Sequence, residues 1–134
     1  MREFLENIRS QAKRVEMMQE EYQSIRSSLE VSGVSYESTG AVCASRKTDA
    51  MAEVIAEMVD FENEMKSEQC RLAAMRLKAA SAISRITDDR EREVLRRWYL
   101  MYQSEEEIRK AMGYSQSMIY GFRQRGLEQL ETSE

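Results

Sequence analysis

Residues 104–130 carry a pattern of helix-starting and helix-ending signals that predicts two short helices joined by a tight turn. Ser104 and Glu107 have the spacing of a capping box, in which two backbone N–H groups at a helix start are satisfied reciprocally. Gly113 stands where that helix ends, and glycine adopts a positive φ at little cost. Ser115 is a plausible cap for a second helix. The apolar positions of the two helices follow helical spacing: Ile108, Ala111 and Met112, then Ile119, Phe122, Gly126, Leu127 and Leu130.

Two helices joined this tightly have the geometry of a DNA-binding helix-turn-helix, whose second helix enters the major groove. Gln116 can pair with adenine, and Met118 or Tyr120 can contact a thymine methyl. Arg123 and Arg125 would bind backbone phosphates, which set register rather than sequence. The candidate DNA-binding residues are therefore Ser115, Gln116, Ser117, Met118, Tyr120, Arg123, Gln124 and Arg125.

Residues 86–130 also resemble the fourth conserved region of bacterial sigma factors. The matching residues are Arg92, Val94, Leu95, Arg97, Trp98, Tyr99, Glu107, Ile108, Met112, Gly113, Ser115, Ile119, Leu127 and Leu130. The whole chain resembles small phage and prophage proteins that carry such a domain and are regarded as transcriptional regulators. The resemblance implies DNA binding. Sigma-like domains commonly carry a basic residue at the position that Gly121 occupies in this chain. Glycine at this position costs about 1 kcal/mol of helix propensity and removes a possible base contact.

Two apolar stripes precede this domain. In residues 2–29, Ile8, Val15, Tyr22 and Leu29 recur every seven residues, accompanied by Leu5, Met18 and Ile25. A second helix, capped by Thr48 or Asp49 and running to Ile86, repeats apolar residues at Met51, Met58, Met65, Leu72, Ala79 and Ile86. A sustained seven-residue repeat favours coiled-coil packing. The serine- and glycine-containing segment 31–47 between the stripes is expected to be a loop.

The predicted fold is all-α, with a long N-terminal helical hairpin over residues 1–86 followed by a three-helix helix-turn-helix domain over residues 87–131. The first helix of that domain is expected at residues 88–101, with Val94, Leu95, Trp98 and Met101 facing its core. Two helices alone bury little apolar surface, so we expect the hairpin to pair with a second copy and form a dimer. The four helices of such a dimer can form a four-helix bundle.

Composition bounds the function. The net charge is −4, and residues 87–134 hold 8 Lys and Arg against 10 Asp and Glu, so DNA contact must come from a local basic patch. Cys43 and Cys70 lack metal-ligand spacing and histidine is absent, which indicates a reduced, cytoplasmic protein without metal or cofactor. No apolar run has the length of a membrane span, and no catalytic constellation is visible, so we expect a protein that is not an enzyme.

The leading hypothesis is a phage-type, dimeric, double-stranded-DNA-binding transcriptional regulator. Three alternatives remain at this stage. The domain could keep its fold without DNA affinity, since its charge is acidic and Gly121 weakens the reading helix. The chain could be a sigma-like adaptor that binds RNA polymerase. It could also be an assembly component similar in plan to small terminase subunits, which join a helix-turn-helix to an oligomerising helical part.

Overall fold

The computed structural model describes residues 1–31 and 46–132, and within these ranges the chain is helical without a strand. The elements are α1 (Arg2–Val31), α2 (Arg46–Ile83), α3 (Asp89–Leu95), a π-helical turn (Arg96–Leu100), α4 (Glu105–Met112) and α5 (Gln116–Thr132). The predicted all-α fold class is confirmed.

The bounds of the long helices differ from the sequence predictions. Helix α2 begins at Arg46, so neither Thr48 nor Asp49 caps it. It ends at Ile83 rather than Ile86, because the following N–H groups bond three residues back: Ile86 N–H donates to the carbonyl of Ile83 at 3.0 Å. Of the predicted loop 31–47, the two ends are helical, and residues 32–45 lie outside the described residues.

The chain divides into two compact units, and each contains a part of α1 and a part of α2. One unit comprises Met1–Ala12 and Arg71–Glu134, and the other comprises Lys13–Cys70. The elements α3 to α5 therefore share a unit with the start of α1 and the end of α2. The domain boundary predicted between residues 86 and 87 lies inside this unit and stays a prediction.

In the unit Lys13–Cys70, aromatic stacking joins the two long helices. The ring of Tyr22 stacks on that of Phe61 at 6.2 Å between centroids, with 3° between the ring planes. The Tyr22 hydroxyl donates to Glu62 Oε2 at 3.3 Å. Leu29, further along α1, lines a small apolar pocket together with earlier residues of α2: Ala50, Met51, Val54 and Ile55. These contacts mean that the two helices run in opposite directions within this unit.

The unit that contains α3 to α5 has two apolar clusters. The first joins α1 and α2 to α3, the π turn and α5 through Leu5, Ile8, Ala79, Ile83, Ile86, Leu95, Tyr99, Leu127 and Leu130. The second lies between α3, α4 and α5 and contains Val94, Ile108, Ile119 and Phe122. The beginning of α1 and the end of α2 thus supply part of the apolar core on which α5 rests.

Four residues predicted to face the core are instead exposed, among them Met51 of α2, which is 38% exposed. Met101 is 56% exposed because the π turn inserts an additional residue: its N–H donates to the carbonyl of Arg96, five residues back, at 2.9 Å. This shift leaves Tyr99, which is 1% exposed, in the core. Ala111 lies on the exposed side of α4, and Ile25 is 45% exposed on α1.

Candidate nucleic-acid interface

Helix α4 begins with the capping box that the sequence predicts. Ser104 N–H donates to Glu107 Oε2 at 3.2 Å, and Glu107 N–H donates to Ser104 Oγ at 3.3 Å. Both residues are exposed, and the box gives two backbone N–H groups at the helix start a hydrogen-bond acceptor within the protein in place of water. The start of α4 is thereby fixed, and with it the position of the turn that follows.

The turn between α4 and α5 also follows the sequence prediction. Gly113 ends α4 with φ 76° and ψ 21°, the left-handed conformation that favours glycine, and its N–H donates to the carbonyl of Arg109 at 2.8 Å. Two residues later, Ser115 Oγ accepts the N–H of Met118 at 3.4 Å. This bond caps the first turn of α5, which begins at Gln116.

Helix α5 is anchored by its apolar face and open along its first turns. All five predicted apolar positions are buried: Ile119, Phe122, Gly126, Leu127 and Leu130. Gly126 approaches α3 so closely that a Cβ atom there would lie 2.9 Å from Leu95 Cδ1. At the other end of α5, Gln116 and Ser117 are exposed, and Met118 and Tyr120 are 44% and 55% exposed. The residues that the sequence assigns to base contact are thus accessible.

The three candidate residues further along α5 have partners within the chain. Arg125 Nε donates to Glu91 Oε1 at 3.2 Å, and Glu91 is buried on α3. Gln124 Oε1 accepts a hydrogen bond of 2.6 Å from Arg2 Nη2. The guanidinium of Arg123 lies over the Tyr120 ring at 5.5 Å and over the Trp98 ring at 4.7 Å. Arg125 therefore has its charge offset by Glu91, whereas Arg123 packs on aromatic rings.

A groove of about 570 Å³ lies along the start of α5. Five of the eight candidate residues line it: Ser115, Gln116, Ser117, Tyr120 and Arg123. Its floor is apolar, formed by Val94, Ile108 and Ile119, and Trp98 and Glu105 complete the lining. Met118, Gln124 and Arg125 are not part of this lining. The groove combines exposed amide and hydroxyl groups with one cation, and Glu105 contributes an opposing negative charge.

Trp98 is the residue of this groove that the sequence interpretation missed, because it was assigned to the core. It is half-buried in the π turn and lines the groove. The guanidinium carbon of Arg9, in α1, lies 3.8 Å from the centroid of its ring. Arg9 is distant in sequence and has no motif of its own, so no sequence signal could have joined it to this site.

Two ionisable groups beside the interface have altered pKa values. The N-cap Asp88 accepts N–H groups of Glu91 and Arg90 at 3.3 and 2.8 Å, and these bonds hold the pKa of its carboxyl below the usual range. Burial, reinforced by the charge of Glu6 and its hydrogen bond with the tyrosine hydroxyl at 3.0 Å, raises the pKa of Tyr99. Because the Asp88 carboxylate caps the first turn of α3, the stability of that helix start depends on pH.

The described residues contain neither a metal-binding cluster nor a membrane-spanning helix. Across residues 1–31 and 46–132, no three His, Cys, Asp or Glu side chains gather closely enough to hold a metal ion. No helix in the described part of the chain is both long and apolar enough to cross a membrane.

Comparison with known proteins gives no relative: no family model, curated protein or solved structure significantly matches the chain.

Proposed function

We propose that this chain is a cytoplasmic, phage-type transcriptional regulator that binds double-stranded DNA through the first turns of α5. The observation that carries the proposal is the contrast along this helix. Its apolar face packs on α3 and α4, while its capped N-terminal turns leave Gln116, Ser117 and Tyr120 open at a groove. A helix-turn-helix reads base edges with residues near the N-terminus of its second helix.

The residues at the groove divide into two roles. Gln116 pairs with an adenine through its amide, and Ser117 contacts a base or phosphate. Met118 and Tyr120 supply apolar contact to thymine methyl groups. Arg123 binds a phosphate and thereby fixes the register of α5 on the duplex. Because Arg125 is paired with Glu91 at 3.2 Å, we assign it the smaller share of phosphate binding.

Dimerisation is part of the proposal, since the groove of one copy is lined by a single cation, Arg123, and by one carboxylate, Glu105. The unit Lys13–Cys70 leaves several large apolar side chains exposed, namely Met17, Ile25, Met51, Val54 and Val59. Burying such side chains against a second copy gains roughly 25 cal/mol per Å² of apolar surface. Two linked helix-turn-helix domains act together on one duplex, so that two modest contacts give a useful combined affinity.

The test compares DNA affinity and its salt dependence for the whole chain and two variants. Arg123→Ala is expected to weaken binding to every sequence and to reduce the slope of log affinity against log salt by about 0.9 for each copy, or about 1.8 for the dimer. Gln116→Ala is expected to relax preference at one base pair, by about 1–3 kcal/mol, while leaving the salt slope unchanged. Gln23→Ala, at an exposed position of α1 in the other unit, is the matched control for the glutamine.

Unchanged DNA affinity in both variants at low salt would contradict the assignment of α5 as the reading helix. Copurification with RNA polymerase in the absence of DNA would instead favour the adaptor function. A ring of many subunits, rather than a dimer, would favour the assembly function.

A further inference from the structure

Two arginines from opposite ends of the sequence meet on one tryptophan ring. The guanidinium carbon of Arg9 lies 3.8 Å from the Trp98 centroid, and that of Arg123 lies 4.7 Å from it. The two guanidinium carbons are therefore at most 8.5 Å apart, the sum of those two distances. Arg9 belongs to α1, Trp98 to the π turn and Arg123 to α5, and all three lie in one compact unit.

Within the described part of the chain, no carboxylate forms an ion pair with Arg9 or Arg123. Among the described residues, no Asp or Glu oxygen lies within 4.0 Å of a side-chain nitrogen of Arg9 or Arg123. The nearby carboxylates are Glu6, whose Oε1 accepts the Tyr99 hydroxyl, and Glu105 at the groove. Two like charges held on one ring repel each other, and the arrangement has a place for an anion.

Unused hydrogen-bond donors lie at the same place. Arg9 Nη1 and Trp98 Nε1 are both buried, and neither has a hydrogen-bond partner among the described residues. A buried donor without a partner costs about 1–3 kcal/mol, so such groups are uncommon unless a ligand or water satisfies them. Because Arg9 Nη1 is buried in this conformation, the Arg9 side chain has to rotate outward before that nitrogen can donate to an oxyanion. Such a bond would satisfy the Arg9 donor, and the anion would compensate both charges.

We propose that Arg9 and Arg123, stacked on Trp98, bind one backbone phosphate of DNA beside the bases read by Gln116. This inference rests on the proposed function. Guanidinium groups match the oxygens of a phosphate with paired N–H donors, and two of them at most 8.5 Å apart can each reach a different oxygen of one phosphate. Arg123 also lines the groove, so the phosphate site is continuous with the base-reading residues. The first helix of the chain is thus a part of the DNA-binding surface.

The experiment measures affinity for a DNA fragment selected by the whole chain, at several salt concentrations. Arg9→Ala is expected to weaken binding about tenfold and to reduce the salt slope by about 0.9 for each copy, or about 1.8 for the dimer, as loss of one phosphate contact per copy does. Arg9→Lys keeps the charge and is expected to retain the slope while losing part of the affinity, because the planar fork is absent. Arg85→Ala removes the same charge from an exposed position outside the groove and is the matched control.

A second readout comes from Trp98, which is the only tryptophan of the chain. Its fluorescence is expected to change when DNA binds, and to change less in Arg9→Ala. The thermal unfolding of each variant is recorded alongside, so that loss of fold is separated from loss of a contact.

The outcomes separate this inference from the proposed function. A chain that binds DNA, and whose affinity and salt slope respond to Arg9→Ala no more than to Arg85→Ala, overturns the phosphate site and leaves the proposed function standing. A folded chain that binds no DNA at low salt overturns both. A lowered affinity with an unchanged slope in Arg9→Ala assigns Arg9 a structural role only and likewise overturns the inference.

Discussion

Substitution by alanine is expected to change the stability of the protein in opposite directions at the two glycines of α5. Alanine at either position should gain about 1 kcal/mol of helix propensity, since glycine is the poorer helix former. At Gly121 the added Cβ would lie 3.4 Å from Arg125 Nη1, the end of a long side chain that can move aside. At Gly126 it would lie 2.9 Å from Leu95 Cδ1 and 3.3 Å from Leu95 Cγ, and Leu95 is fully buried.

The magnitudes follow from these distances. Gly121→Ala keeps most of the propensity gain and is expected to stabilise the protein by about 0.5–1 kcal/mol. In Gly126→Ala, a methyl group enters space already occupied by Leu95, which cannot rotate away because it packs against Tyr99 and Leu127 in the same cluster. Overpacking of this kind costs about 1–3 kcal/mol, and the gain of about 1 kcal/mol in helix propensity offsets part of it, so the net destabilisation lies between zero and about 2 kcal/mol.

Thermal unfolding followed by circular dichroism measures both effects. For a chain of this size 1 kcal/mol corresponds to about 4 °C in Tm, so Gly121→Ala should raise Tm by about 2–4 °C, whereas Gly126→Ala should lower it, by up to about 8 °C. Equal shifts in the same direction would refute the reasoning, since they would mean that α5 does not approach α3 as closely as Gly126 and Leu95 indicate.

Two further predictions concern the same domain. Phe122→Ala removes a fully buried ring from the cluster between α3, α4 and α5 and is expected to cost about 3–5 kcal/mol; an unchanged urea midpoint would contradict its place in that core. The pKa of Asp88 is lower in the folded protein than in the unfolded chain, so its contribution to stability is complete above pH 4 and is lost as the pH falls through the folded-state pKa. Asp88→Asn, which keeps a capping side chain but cannot titrate, should lose less stability between pH 5 and pH 2 than the parent chain; equal losses would contradict the role of this carboxylate.

The ends of α4 and the apolar face of α5 could be predicted from the sequence, because the interactions that determine them involve only a few neighbouring residues. The capping box at Ser104 and Glu107 and the positive φ of Gly113 both depend on backbone chemistry within one turn. The burial of Ile119 and Phe122 follows from the 3.6-residue period. These predictions are confirmed because no distant contact competes with them.

The features that escaped prediction depend on contacts between distant parts of the chain. The π turn at Arg96–Leu100 has no composition signal; it exposes Met101, which was predicted to face the core, and buries Tyr99, for which no burial was predicted. The stacking of Arg9 on Trp98 joins the first helix to the interface, and no periodicity links such distant residues. The pairing of Arg125 with Glu91 likewise offsets a charge that the helical pattern alone assigns to phosphate binding.

The most direct test of the account is the sequencing of DNA fragments selected by the purified chain at about 100 mM salt, with its mass in solution measured in parallel. The account predicts an enriched site with two related halves spaced by a whole number of helical turns, together with the mass of a dimer. No enriched sequence, or a single asymmetric half-site bound by a monomer, would contradict it.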